Sequence, residues 1–396
     1  MEPVLFFEPK LKVAFAYCPS SGGVFQLDEG EYRAVLEGTE EGKALIGEMR
    51  SYTGQHYSFQ DFVGHLNSLG ITHERLSRPA TANLELTLRC NLNCKHCIVS
   101  AGEPKENELT TSEWLRLVDG LGSLQYTLTG GEPLMHPGFG EIVEAIKGRG
   151  AAVKILTNGT LVPENLNAFE GLDGRDVVQV SLDGTEEVND SIRGRGTFKR
   201  VVSAIKALAE AGVNVQVSFT LLPENKADLV PLYREVSGLG VKAFNVGRGL
   251  PLGRQGKAVP YREYLAAVEG LRDVAKEVGV PVAGGQLGDP LPVEPEAVYS
   301  CEAGTSSLFV SSTGDVYPCL LFRWSDFRMG NVREEDIQEI WEKGDWERLR
   351  RNLGGTRCAS CPLFGACRGG CPGEALLFSG SLDAPAPSCR WEGEDR

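Results

Sequence analysis

Apolar and polar positions along this chain follow two periods that replace one another several times. Between residues 84 and 247, short apolar runs recur between longer stretches of helical periodicity. The runs LELTL (84–88), LQYTLT (124–129), AVKILT (152–157), VVQVSL (177–182), VNVQVSF (213–219) and VKAFNV (241–246) predict strands. Thr111–Leu121, Glu141–Gly148 and Phe198–Ala211 carry apolar residues at helical spacing between them. Six strand–helix units with short connections predict an α/β fold built on a parallel sheet, either open and doubly wound or curved as a barrel. Six units instead of eight would leave such a barrel partial. One more amphipathic helix is predicted over 260–278, and Pro- and Gly-rich sequence up to 295 marks a boundary.

The ends of the chain read differently. KVAFAY (12–17) and GGVFQL (22–27) predict a β-hairpin around the turn residues Pro19-Ser20-Ser21-Gly22. Three short helical patterns follow; the last is capped by Ser58 and places Phe59, Phe62, Val63, Leu66 and Leu69 on one face. Ser77-Arg78-Pro79-Ala80 reads as a linker, and the chain beyond 291 is loop-rich. The expected domains are therefore 1–78, 79–290 and 291–396, in keeping with a length of 396 residues.

Net charge −14, from 54 acidic against 40 basic residues, argues against a general nucleic-acid or membrane-surface binder. No apolar run approaches the ~18 residues of a membrane span. The start MEPVLFFEPKLK lacks a basic-then-apolar signal pattern, so a cytoplasmic location is expected. The eleven cysteines change the picture most. An odd count without an export signal speaks against a disulfide framework. Three cysteines lie between Cys90 and Cys97 and seven between Cys301 and Cys389, while Cys18 stands alone. Such clustering points to thiolate–metal sites.

Cys90, Cys94 and Cys97 form C-x3-C-x2-C directly after a predicted strand. Three thiolates in one loop suit a [4Fe–4S] cube with one iron left open for a substrate or cofactor. Zinc is the alternative, but a closed zinc site needs a fourth ligand, and His96 lies inside the triplet. At the end of the second strand stands Gly130-Gly131-Glu132-Pro133, where two glycines would let backbone carbonyls approach an ammonium and Glu132 would supply charge.

Together these motifs resemble the radical S-adenosylmethionine superfamily, over about residues 80–250. The resemblance implies a partial (β/α)6 TIM-like barrel with S-adenosylmethionine held at the C-terminal strand ends. In similar enzymes GGEP binds the methionine amino group. Thr157, Asn158, Ser181 and Asp183 match positions that contact the ribose and the amino-acid part. Arg193, in Asn189-Asp190-Ser191-Ile192-Arg193, matches the arginine that pairs with the methionine carboxylate. Leu221 matches a position beside the adenine, and His96 fills an aromatic slot that packs on it.

The second group runs Cys301-x12-Gly314-x4-Cys319, then Cys358-x2-Cys361-x5-Cys367-x3-Cys371 and Cys389. A zinc ribbon is the alternative, yet seven cysteines without a nearby histidine do not divide into four-ligand sites. The pattern resembles the SPASM extension of the same superfamily. By that resemblance Cys358, Cys361, Cys367 and Cys389 hold an outer auxiliary cluster, and Cys301, Cys319 and Cys371 an inner one. Some relatives have an eighth cysteine where this chain has Val293-Glu294-Pro295-Glu296. That leaves the inner cluster with an open iron, a noncysteine ligand or fewer irons. In sulfatase-maturing relatives an aspartate follows the second cysteine of this group; Leu320 stands here, which speaks against formylglycine formation.

The N-terminal unit resembles winged-helix-like α+β domains of the pyrroloquinoline-quinone chaperone type, which bind a precursor's leader peptide by strand addition; a purely structural cap is the alternative. The whole implies a radical enzyme modifying a ribosomally made peptide. Its cofactors would be S-adenosylmethionine and three iron–sulfur clusters, and its electron donor a flavodoxin or ferredoxin. A 5′-deoxyadenosyl radical would abstract hydrogen, giving a thioether, a C–C crosslink or an oxidised residue. A nonpeptide substrate such as a tetrapyrrole, and a noncatalytic zinc scaffold, are the competing readings.

Overall fold

The computed structural model describes residues 2–72, 75–284, 301–362 and 364–389. The segment Val293–Glu296, which stands where some relatives have an eighth cysteine, lies outside them.

The chain begins with a three-stranded antiparallel sheet of β1 (Val4–Glu8), β2 (Val13–Cys18) and β3 (Gly23–Leu27), in that spatial order. The hairpin β2–β3 is the expected one; Gly22, at φ 64°, donates its N–H to Cys18 O and closes the turn. β1 was not expected. Helices α1 (Glu29–Glu37), α2 (Glu40–Ser51) and α3 (Phe59–Thr72) complete this unit. Ser58 and Asp61 cap α3 reciprocally: Asp61 N–H donates to Ser58 Oγ and Ser58 N–H to the Asp61 carboxylate. Phe59, Phe62, Val63 and Leu66 meet Phe6, Phe15 and Tyr17 in a core that also takes in Ala80 and Ala152. Ala152 opens a barrel strand, so the unit packs against the N-terminal ends of those strands. Cys18 is fully buried in a neighbouring core with Leu27, Val35 and Met49.

The second sheet has ten strands. Its parallel body consists of β4 (Thr81–Glu85), β5 (Gln125–Thr129), β6 (Ala152–Thr157), β7 (Val177–Ser181), β8 (Val215–Leu221), β9 (Ala243–Arg248) and β10 (Val282–Gly284), each paired with the next. Helices α4 (Thr111–Leu121), α5 (Phe139–Gly148), α6 (Glu186–Arg193), α7 (Thr197–Glu210), α8 (Leu229–Ser237) and α9 (Tyr261–Val278) connect the strands and cover one face. The α/β fold and the six expected strands are thus present. The first lies three residues earlier than predicted. After Leu86 the chain leaves the sheet because Glu108 takes over, accepting from Leu88 N–H (2.7 Å) and Thr87 Oγ1 (2.6 Å).

The segment after residue 301 is not all loop. β11 (Ser307–Val310) pairs parallel with β4, and β12 (Asp315–Tyr317) and β13 (Gly330–Asn331) extend the sheet antiparallel. Then come α10 (Ile337–Lys343), α11 (Phe364–Cys367) and α12 (Pro372–Ser379). Among the described residues no helix is long and apolar enough to cross a membrane.

Candidate cofactor and cluster site

The C-terminal ends of the barrel strands surround a cavity of about 340 Å³. Its wall includes Cys90, Cys94, Cys97, His96, Gly130, Gly131, Thr157, Asn158, Ser181 and Arg193, so one place gathers ten residues expected from the sequence. The other four, Glu132, Pro133, Asp183 and Leu221, stand behind that wall. Each of the first three has a visible task there, and Leu221 belongs to the hydrophobic core.

Thiol positions follow from the loop's backbone. Cys90 N–H donates to Gly102 O, Lys95 N–H to Ile192 O, and Cys97 N–H to Cys94 O. Burial pushes the Cys90 thiol up to about 11 and Cys94 in the same direction. Arg193 and Arg254 oppose the shift at Cys94. Buried thiolates here need cations beside them, and a metal cluster supplies the strongest. The donor set therefore fits an iron–sulfur group.

The glycine pair has a second reason besides room for a ligand. A Cβ on Gly130 (φ 149°) would sit 2.3 Å from Thr87 O, and one on Gly131 2.4 Å from Arg89 O. Backbone bonds Gly131 N–H to Thr87 O (2.7 Å) and Glu132 N–H to Arg89 O (2.8 Å) stitch this turn to the start of the cysteine loop. Pro133 opens the short helical turn that follows. Glu132 is fully buried, and its carboxylate accepts from Asn158 N–H (2.7 Å), Thr157 Oγ1 (2.8 Å) and Leu134 N–H (3.3 Å). Burial raises its pKa to about 7 despite those bonds. Its side chain ties the end of β5 to the end of β6.

Asp183 is a similar hub. It is fully buried and accepts from Arg193 Nε (2.5 Å), His96 Nε2 (3.1 Å) and Thr220 N–H (2.7 Å). Burial alone would raise its pKa; the Arg193 guanidinium and the hydrogen bond from His96 outweigh burial and hold it below the usual carboxylate range. His96 Nδ1 is buried without a protein partner. Asp183 thus aims the imidazole and the guanidinium.

Several wall residues escaped sequence reasoning. Gln179, Ser218, Thr220 and Asn245 line the cavity from β7, β8 and β9. Their signal was available: polar residues alternate with valine and phenylalanine in VVQVS and VQVSFTL, as an inward polar face requires. Arg254 gave no such signal. Its Nε donates to Cys94 O (2.8 Å), its Nη1 to Ala101 O (2.8 Å) and its own N–H to Cys97 O (2.9 Å). It clamps the cysteine loop from a position 160 residues away.

Leu320 and Arg248 join this cavity to the second cysteine group. Leu320 follows Cys319 directly. Arg248 pairs with buried Glu374 (2.6 Å), whose N–H donates to Cys371 Sγ (3.4 Å). Cys301, Cys319 and Cys371 are electrostatic neighbours: burial pushes Cys301 up to about 12 and Cys319 in the same direction, and Cys371 adds to both. Burial also raises Cys367, with Cys389 and Cys358 beside it. Cys361 donates its N–H to Cys358 O in the same turn.

A profile of the radical SAM superfamily matches residues 84–236, and one of the SPASM iron–sulfur cluster-binding domain matches residues 301–362. Mycofactocin maturase MftC of Mycobacterium tuberculosis is 32% identical over 334 residues, covering 79% of this chain and 83% of that protein. The subtilosin biosynthesis protein AlbA of Bacillus subtilis is 30% identical over 311 residues, 74% and 67% of the two chains. An AdoMet-dependent heme synthase of Oleidesulfovibrio alaskensis is 29% identical, with 78% and 86% covered. The structure of Streptococcus suis SuiB bound to precursor peptide SuiA superposes with a TM-score of 0.75 at 17% identity, over 98% of this chain and 99% of that one. The three-cysteine loop, the glycine turn beside it and the second cysteine group thus have one explanation: this chain belongs to the radical SAM superfamily and carries its SPASM iron–sulfur domain.

Proposed function

We propose that the chain modifies a ribosomally made precursor peptide. The observation that carries this reading is the 32% identity to a mycofactocin maturase across 79% of the chain, joined by AlbA at 30%. When bound, S-adenosylmethionine and the cluster beside it supply a one-electron cleavage whose 5′-deoxyadenosyl radical removes a hydrogen atom from the substrate. The chain's own residues bind, orient and shield. Cys90, Cys94 and Cys97 would hold the cluster. Gly130 and Gly131 would present backbone to the methionine amino group, and Arg193 would face its carboxylate. Thr157, Asn158 and Ser181 would take the ribose and amino-acid part, with His96 against the adenine. Glu132 and Asp183 would act through these groups as positioning residues.

Cys358, Cys361, Cys367 and Cys389 would hold the outer auxiliary cluster, and Cys301, Cys319 and Cys371 the inner one. The cavity's approach to Leu320 supports a substrate lying between the first cluster and the inner one. Residues 1–78 would form the leader-binding domain, 79–290 the barrel domain and 291–396 the auxiliary domain. A leader strand would join an edge of the β1–β3 sheet, and a flavodoxin- or ferredoxin-type donor would supply electrons in the cytoplasm.

The test is mass spectrometry of a peptide encoded beside the gene, before and after anaerobic reaction with the reconstituted enzyme. Loss of two hydrogens, or of carbon dioxide with two hydrogens, is expected. The likeness to heme synthases favours the competing reading of a tetrapyrrole substrate. An unmodified peptide together with turnover of a porphyrin precursor would decide for that one.

A further inference from the structure

Cys367 and Cys371 fall in different auxiliary sets, and only Arg368, Gly369 and Gly370 separate them. All three carry positive φ, at 49°, 84° and 73°. Arginine resists that conformation, so the left-handed run needs something to hold it. Arg351 meets all three carbonyls: Nη1 donates to Arg368 O (3.1 Å) and Gly370 O (2.7 Å), and Nη2 to Gly369 O (3.2 Å). Its remaining donors reach Leu382 O (2.7 Å) and Ala384 O (2.5 Å), on the stretch leading to Cys389. The electrostatic neighbours of this guanidinium are Cys358 and Cys367 from one set and Cys301 and Cys371 from the other. Arg193 and Arg248, in contrast, each face a buried carboxylate, Asp183 and Glu374.

We propose that Arg351 is a positioning residue shared by both auxiliary clusters, fixing Cys367 against Cys371 and raising the reduction potential of the two together. Reduction adds one electron, hence one negative charge, to a cluster. A cation set between two thiolate sets favours that form in both. The inference rests on the two-cluster assignment proposed above.

The test is an EPR-monitored redox titration of reconstituted full-length protein, with iron counted per chain. In R351Q the charge is gone while an amide can still donate to the carbonyls. Both auxiliary midpoints should fall, by about tenfold in equilibrium constant or about 59 mV for a one-electron couple. The midpoint of the Cys90/Cys94/Cys97 cluster should stay where it is. Unchanged auxiliary midpoints at wild-type iron content, or a shift confined to one cluster, would overturn the shared role. If R351Q loses auxiliary iron, R351K carries the test, since it keeps a cation at this place. Both auxiliary midpoints should then stay at wild-type values, and a fall in either despite the retained charge overturns the proposal. Wild-type protein without two auxiliary signals would overturn the cluster assignment and the inference together.

Discussion

The two cysteine groups are built in opposite ways. Cys90, Cys94 and Cys97 occupy one loop of eight residues, and the barrel's backbone bonds place that loop before any metal enters. The seven of the second group are collected from 89 residues of chain, between Cys301 and Cys389, with short strands and helices of one or two turns between them. In the first group, spacing carries the geometry. In the second, the fold must bring the ligands together, and the metal in turn holds the fold.

The largest expected effect breaks the first group alone. C94A should abolish reductive cleavage of S-adenosylmethionine while circular dichroism and thermal midpoint stay near wild type. C367A should lose auxiliary iron yet keep that cleavage, read as 5′-deoxyadenosine formed per chain. Equal loss in both variants would mean that the groups do not work separately. Next in size is D183N, which leaves Arg193 buried beside a neutral amide. Breaking such a pair costs about 3–5 kcal/mol, and weaker S-adenosylmethionine binding should accompany it. Wild-type affinity in D183N would remove Asp183 from its positioning role.

The smallest effect is a slope with pH. Folding raises the Glu132 carboxyl from its ordinary 4.5 to about 7, so the folded chain holds that proton more tightly. Its contribution to stability is full below pH 4.5 and is lost as pH rises to about 7. The stability difference between wild type and E132Q should therefore shrink over that window, as measured by thermal midpoints at each pH. A difference that does not change with pH would show that Glu132 stays ionised throughout.

Much of the barrel was legible because its strands are long enough to repeat. VNVQVSF (213–219) alternates over seven residues, and β8 follows that alternation two residues further on. SLFV and GN are too short to show a period, so β11 and β13 came as additions. The cysteines and the glycine turn announced themselves by spacing. Arg254 and Arg351 did not, because their partners are backbone carbonyls, which have no letter in the sequence and lie far off along the chain.

If residues 1–78 hold a leader as proposed, their packing against the starts of the barrel strands would work as a ruler. The cavity opens at the other ends of those strands. β8 alone has seven residues, about 23 Å at ~3.3 Å per residue. A peptide anchored at the edge of β3 would need about seven extended residues merely to pass that depth, and more to go around the wall. Residues nearer than this to the anchor would be out of reach, so the enzyme would choose its target partly by counting along the peptide.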